Sequence, residues 1–201
     1  MRDLVYVKMA HSVKDYPDPD KNPISNFIKR LECSGISLQD YERKLDEAWD
    51  LIDLDLKKVS PQQVYMDSYV GAEPSYYQEL ADRGSRAFKA MLRLVSNGAR
   101  LNKTEDTDLW LKYFNDLDKR DSFIADTIDK TLEKTGVLFM GIGHDMPAKL
   151  LRVPDINVEV IDHAQAVNDY VKNAMNEYLN RFNGPYWEKV EEFFKENFRF
   201  D

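Results

Sequence analysis

Apolar positions along this chain follow two periods. Short blocks such as Leu4-Val5-Tyr6-Val7 and Val137-Leu138-Phe139-Met140 alternate with longer stretches in which apolar residues recur at steps of three and four. The blocks predict strands and the stretches predict amphipathic helices. Residues 4–9 form a first strand that ends at Ala10-His11-Ser12, and Pro17, Pro19 and Pro23 punctuate the loop beyond it. Ile24, Phe27, Ile28 and Leu31 predict a short helix that stops near Gly35. Ser37, with Asp40 three residues on, reads as an N-cap, and Tyr41, Leu45, Ala48, Trp49 and Ile52 continue as a helix.

A second strand is predicted at 63–67, ending on Asp67. A helix over 76–96 follows, with Leu80, Ala87, Met91 and Leu94 turned inward and Gly98 just past its end. Residues 99–101 are a short third strand. Thr104-Glu105-Asp106 opens a long helix whose buried face runs from Leu109 to Leu117 and on through Phe123, Ile124, Ile128 and Leu132. Gly136 is expected to close that helix at the C′ position. The four apolar residues 137–140 suit a strand covered on both faces, as in a parallel sheet. Residues 157–162 are the last strand.

Beyond it, Val167, Val171, Ala174, Tyr178 and Phe182 make one helical stripe, and Trp187, Val190, Phe194 and Phe198 a second after the break at Asn183-Gly184-Pro185. Short strands alternating with longer helices predict an α/β fold with a mostly parallel sheet flanked by helices. The expected organisation is an α/β domain over 1–162 and a helical extension over 163–201, packed on that domain or at a subunit interface. The aromatic residues of the extension suit a homodimer.

Composition narrows the function classes. With 28 Lys and Arg against 36 Asp and Glu, the net charge is −8 and the pI about 5.0, which argues against nucleic acid or an anionic membrane as main partner. A single cysteine, Cys33, excludes an internal disulfide and a Cys-rich zinc site. No apolar run follows Met1 as in a signal peptide and none is long enough to span a membrane, so a cytoplasmic location is expected. No P-loop, dinucleotide fingerprint, HExxH or nucleophile-elbow pattern occurs.

Candidate chemistry lies at the strand ends. His11 follows the first strand, Glu105 and Asp106 the third, and His144 the Gly141-Ile142-Gly143 turn after the fourth. In a parallel sheet these ends share one rim, where ligands of α/β proteins bind. Two imidazoles and a carboxylate (His11, His144, Glu105) suit a divalent metal such as Mn, Co or Zn that activates water. The same groups could instead serve as base and orienter without metal. Asp67 is a further candidate. Bland roles compete with each: Thr104 and Glu105 as helix-start residues, Asp145 as a turn residue, His163 as a structural histidine, and Arg120 with Asp121 as a mid-helix surface pair.

The run Lys119-Arg120-Asp121-Ser122-Phe123-Ile124-Ala125-Asp126-Thr127-Ile128, then Leu132, then Val137 to His144, resembles the C-terminal signature of the TraB/Tiki, ChaN and erythromycin-esterase-like superfamily. Gly98-Ala99-Arg100-Leu101 with Thr104-Glu105-Asp106 is similar to its uncharacterised prokaryotic members. The resemblance spans roughly residues 4–161 and is best between 98 and 145. It implies an α/β fold and, in some branches, metal-dependent hydrolysis of peptides or esters; other branches handle haem iron or have no known chemistry. By residue matching it carries over His144, Glu105 and His11, with Gly141, Gly143 and Arg120 in support. The chain departs from the pattern in three places. Val7-Lys8-Met9-Ala10-His11 lacks a glycine, Asp67 stands for a glutamate, and Asp145-Met146-Pro147 follows the second histidine. The expected function is therefore a metal-assisted hydrolase acting on a small molecule or peptide, with a non-catalytic sensor or interaction module as the alternative.

Overall fold

The structure is a computed structural model that describes residues 1–12, 14, 32, 35–66, 81, 82, 84–103, 117–141, 144 and 146–180. Five strands are described: β1 (Arg2–Met9), β2 (Gln63–Met66), β3 (Arg100–Lys103), β4 (Thr135–Gly141) and β5 (Ile156–Asp162). They form one all-parallel sheet in the order β3-β2-β4-β1-β5. Five helices are bounded among the described residues: α1 (Leu38–Leu56), α2 (Arg86–Ser96), α3 (Leu117–Thr131), α4 (Met146–Leu150) and α5 (His163–Asn180). The expected α/β fold with a parallel sheet is what the chain forms. No helix among the described residues is long and apolar enough to cross a membrane.

The alternating side chains of each central strand feed two cores. Val5, Val7, Met9, Val64, Met66, Val137 and Phe139 face Trp49, Ile52 and Leu56 of α1 and Ala87, Phe88 and Met91 of α2. Leu4, Tyr6, Tyr65, Leu138 and Met140 face Ile124, Ala125 and Ile128 of α3 and Met146 and Leu150 of α4. The period of two thus divides one strand between two layers of helix. A third cluster packs Val167 and Val171 of α5 against Tyr41, Leu45 and Ala48 of α1.

The placement of the helices follows from the path of the chain. From β1 to β2 to β3 the chain moves toward one edge, and from β3 to β4 to β5 it moves back toward the other. Parallel crossovers keep one hand, so reversing direction forces the helices onto the opposite face. α1 and α2 accordingly lie on one face, and α3 and α4 on the other.

Several elements differ in extent from the pattern read in the sequence. Ser37 caps α1 as expected, its Oγ accepting the Asp40 N–H at 3.0 Å. The helix expected over 76–96 is interrupted: Gly84 and Ser85 are not helical, and α2 starts at Arg86. Gly136 is no helix cap but the second residue of β4. α3 ends at Thr131 because the buried Gln63 takes over its terminus. The Gln63 amide donates to the Thr131 carbonyl at 2.5 Å, and its oxygen accepts the Glu133 N–H at 2.8 Å. The helix expected over 24–31, Cys33, the stretches 67–80 and 104–116, and the aromatic stripe beyond 180 lie outside the described residues.

Candidate functional site

β1 and β4 are neighbours, and the helices described after them lie on opposite faces, α1 after β1 and α4 after β4. In open α/β sheets ligands bind beyond the carboxyl ends of the strands at such a reversal. The register pairs Met9 with Gly141, so His11 on one side and His144 on the other emerge just past the last paired residues. The fold therefore brings these two predicted residues to one place.

His144 is held by a carboxylate. The backbone N–H of His144 turns back to the Gly141 carbonyl at 3.3 Å. Its Nδ1 lies 2.5 Å from Oδ1 of Asp121 on α3. Asp121 is only 2 % exposed. A carboxylate on Nδ1 calls for the proton at that nitrogen, which makes Nε2 the basic one, and it stabilises the imidazolium once Nε2 takes a proton. This corrects the reading of Asp121 as half of a surface pair. The signal was present in the sequence: Asp121, Ala125 and Ile128 follow steps of four and three along the buried face of α3, and Leu132, just past its end, continues the spacing. The apolar stripe of that helix ends in a carboxylate as it reaches the rim.

His11 occupies the space a side chain would fill at Gly141. A Cβ built on Gly141 would lie 3.0 Å from His11 Cδ2 and 3.4 Å from Cε1, with Nε2 nearer still. The glycine is needed for this close approach. The turn that carries His11 is anchored on α1: Tyr41 donates its hydroxyl to the His11 carbonyl at 3.0 Å, and the buried Ser12 donates to both Glu42 carboxylate oxygens at 2.8 and 2.9 Å.

The third histidine has a different part. His163 opens α5 and is buried. Its Nδ1 accepts the Ala10 N–H at 3.2 Å, which leaves the proton on Nε2, and Nε2 donates to the Leu45 carbonyl at 3.1 Å. Trp49 meets the ring edge-on at 5.3 Å. Burial pushes its pKa below the ordinary value of 6.5. His163 is a neutral tie between the end of β1 and α1. A small recess with room for little more than a water molecule, lined by Ala10, Trp49, Arg86 and His163 among others, lies beside it.

Of the remaining predicted residues, Arg120 is half-buried beside Asp121 on α3. Glu105, Asp67 and Gly143 lie outside the described residues. Among the described residues, no three of His, Cys, Asp and Glu come together as a metal-holding group. Comparison with protein-family models, with curated proteins and with solved structures finds no match for this chain.

Proposed function

We propose that the chain is a hydrolase of small esters or peptides in which His144 is the general base and Asp121 its orienter. The observation that carries this reading is the buried Asp121 on Nδ1 of a histidine just past the paired ends of β1 and β4. A base whose tautomer is fixed by a covered carboxylate, at the rim where parallel sheets bind ligands, is the arrangement that proton abstraction needs. Nε2 takes a proton from water as its oxygen bonds to the substrate carbonyl carbon. As the carbon–oxygen or carbon–nitrogen bond breaks, the proton passes to the leaving group. His11, held against Gly141, supplies a second imidazole at the same strand ends. The resemblance of Arg120-Asp121 and of Gly141 to His144 to the TraB and erythromycin-esterase-like proteins supports the same reading.

A second reading is a divalent metal, Mn, Co or Zn, held by His11 and His144 with Glu105. A carboxylate on the far nitrogen of a metal-binding histidine is a recurrent arrangement, and the Asp121–His144 pair has that form. The described residues alone offer too few ligands, so no step above passes through a metal.

The test is hydrolysis of p-nitrophenyl esters and fluorogenic peptides by the wild type and His144→Ala, in EDTA and after incubation with Mn, Co or Zn. Hydrolysis in EDTA that is lost in the variant supports the base reading. Hydrolysis only with metal, with near-stoichiometric metal lost in the variant, supports the second reading. No hydrolysis in either arm turns the assignment toward a sensor or interaction module.

A further inference from the structure

The inward face of α4 consists of Met146, Lys149 and Leu150, spaced three and four apart, and all three are buried. Met146 and Leu150 join the core with Ile124, Ala125 and Ile128 of α3. Lys149 occupies the same stripe, where the helical period calls for an apolar residue, and is 9 % exposed. A lysine is seldom covered to that degree unless its charge is paired. Its Nζ donates to Oδ1 of Asp118, whose side chain is 75 % exposed. Asp118 precedes Asp121 by one turn of α3, and Lys149 follows His144 within the next helix. The same two segments are thus joined twice, at His144 through Asp121 and at α4 through Asp118. Apolar packing of Met146 and Leu150 seats α4 on α3 but is non-directional, and the ion pair one turn from Asp121 adds a directional attachment.

We infer that Lys149 is a positioning residue for His144: its ion pair with Asp118 clamps α4 to α3 and holds the imidazole within reach of Asp121. This rests on the reading of His144 and Asp121 as base and orienter. Lys149→Met would keep the stripe apolar and leave no buried charge unpaired, so losing the pair in this way falls on geometry more than on folding. The sequence carries the clue as a lysine on the buried stripe of a short helix.

The experiment is ¹⁵N NMR of the histidine rings in the full chain, for the wild type, Lys149→Met, Asp118→Asn and Lys149→Arg, with p-nitrophenyl acetate kinetics alongside. The wild type is expected to show His144 as one Nδ1–H tautomer with a downfield bonded proton. In Lys149→Met and Asp118→Asn that proton is lost to exchange and the tautomers mix, while kcat falls about tenfold and KM stays nearly constant, as expected for a small misplacement of a catalytic group. Lys149→Arg retains both signatures. Folded Lys149→Met and Asp118→Asn proteins with the wild-type ring signal would overturn the inference. Should Lys149→Met fail to fold, Asp118→Asn decides the matter, since it alters an exposed side chain. A wild type with the bonded proton but no hydrolysis would remove the base role only, because the ring signal alone decides the positioning role.

Discussion

Replacing Gly141 by alanine separates the site from the fold. The backbone at Gly141 has no positive φ, so alanine is conformationally allowed there. The consequence is steric and local. The new Cβ would stand 3.0 Å from His11 Cδ2, with Nε2 closer still, whereas non-bonded heavy atoms settle at roughly 3.5–4.0 Å. The imidazole must therefore retreat by something on the order of 1 Å. The obstructing atoms belong to the end of a side chain that can swing away, so the stability cost should sit at the low end of overpacking, about 1 kcal/mol. For a chain of this length that lowers Tm by roughly 2–4 °C. The displaced ring, by contrast, should cost up to about 100-fold in any step that depends on His11. Gly136→Ala is the control. There the Cβ would meet Leu132 Cδ1 at 2.8 Å, the Gln63 carbonyl oxygen at 3.2 Å and Tyr65 Cε2 at 3.3 Å. The Gln63 oxygen belongs to the neighbouring strand and cannot yield without disturbing the ladder, so a loss of about 2–3 kcal/mol is expected far from the rim. Urea titrations with His11 ring NMR read both effects. A Gly141→Ala protein whose His11 signals match the wild type, or one that loses more stability than Gly136→Ala, would refute the packing of His11 on Gly141.

Three other predictions rest on single residues. Burial holds His163 below its ordinary pKa of 6.5, so its neutral form stabilises the fold fully above that value, and the contribution is lost as pH falls below 6.5 toward the lowered folded value. Urea unfolding at successive pH values should show this slope in the wild type and a flatter one in His163→Gln, and equal slopes would count against a buried neutral His163. Trp49→Ala should cost roughly 3–5 kcal/mol by chemical denaturation, since the indole is 2 % exposed and packs on Phe139 and His163, and a loss under about 1 kcal/mol would contradict that packing. Arg2 donates to the Asp129 carbonyl at 2.5 Å, to its carboxylate at 2.8 Å and to the Pro154 carbonyl at 2.9 Å. Arg2→Ala should lower stability by about 1–2 kcal/mol and raise amide exchange at the start of β1, and unchanged exchange there would argue against the staple.

How much of this was legible depends on the range of the interaction concerned. Local signals read well: the 137–140 run became the central strand β4, and Ser37 caps α1 through its own Oγ. Gly136 carries the local signal of a C′ residue because it follows a helical pattern, while its place in β4 depends on Gln63 and Tyr65 from another strand. Strand order is non-local in the same way. No periodicity announces that β4 inserts between β2 and β1, yet that insertion sets the ends of β1 and β4 side by side and seats His11 against Gly141. Asp121 and Lys149 lie between these cases. Each is a charged residue in register with a buried stripe, visible in the helical period, but its partner emerges only once α3 and α4 are packed together.

The measurement that bears most directly on the site is kcat/KM for p-nitrophenyl acetate hydrolysis in EDTA, compared among the wild type, His144→Ala and Asp121→Asn. The account predicts a wild-type rate above buffer that falls about 100-fold or more in both variants, while circular dichroism and Tm show them folded. Asp121→Asn should be nearly as damaging as loss of the imidazole, because asparagine favours the wrong tautomer. Folded variants that hydrolyse the ester as fast as the wild type would contradict the account and place any activity of this chain away from His144.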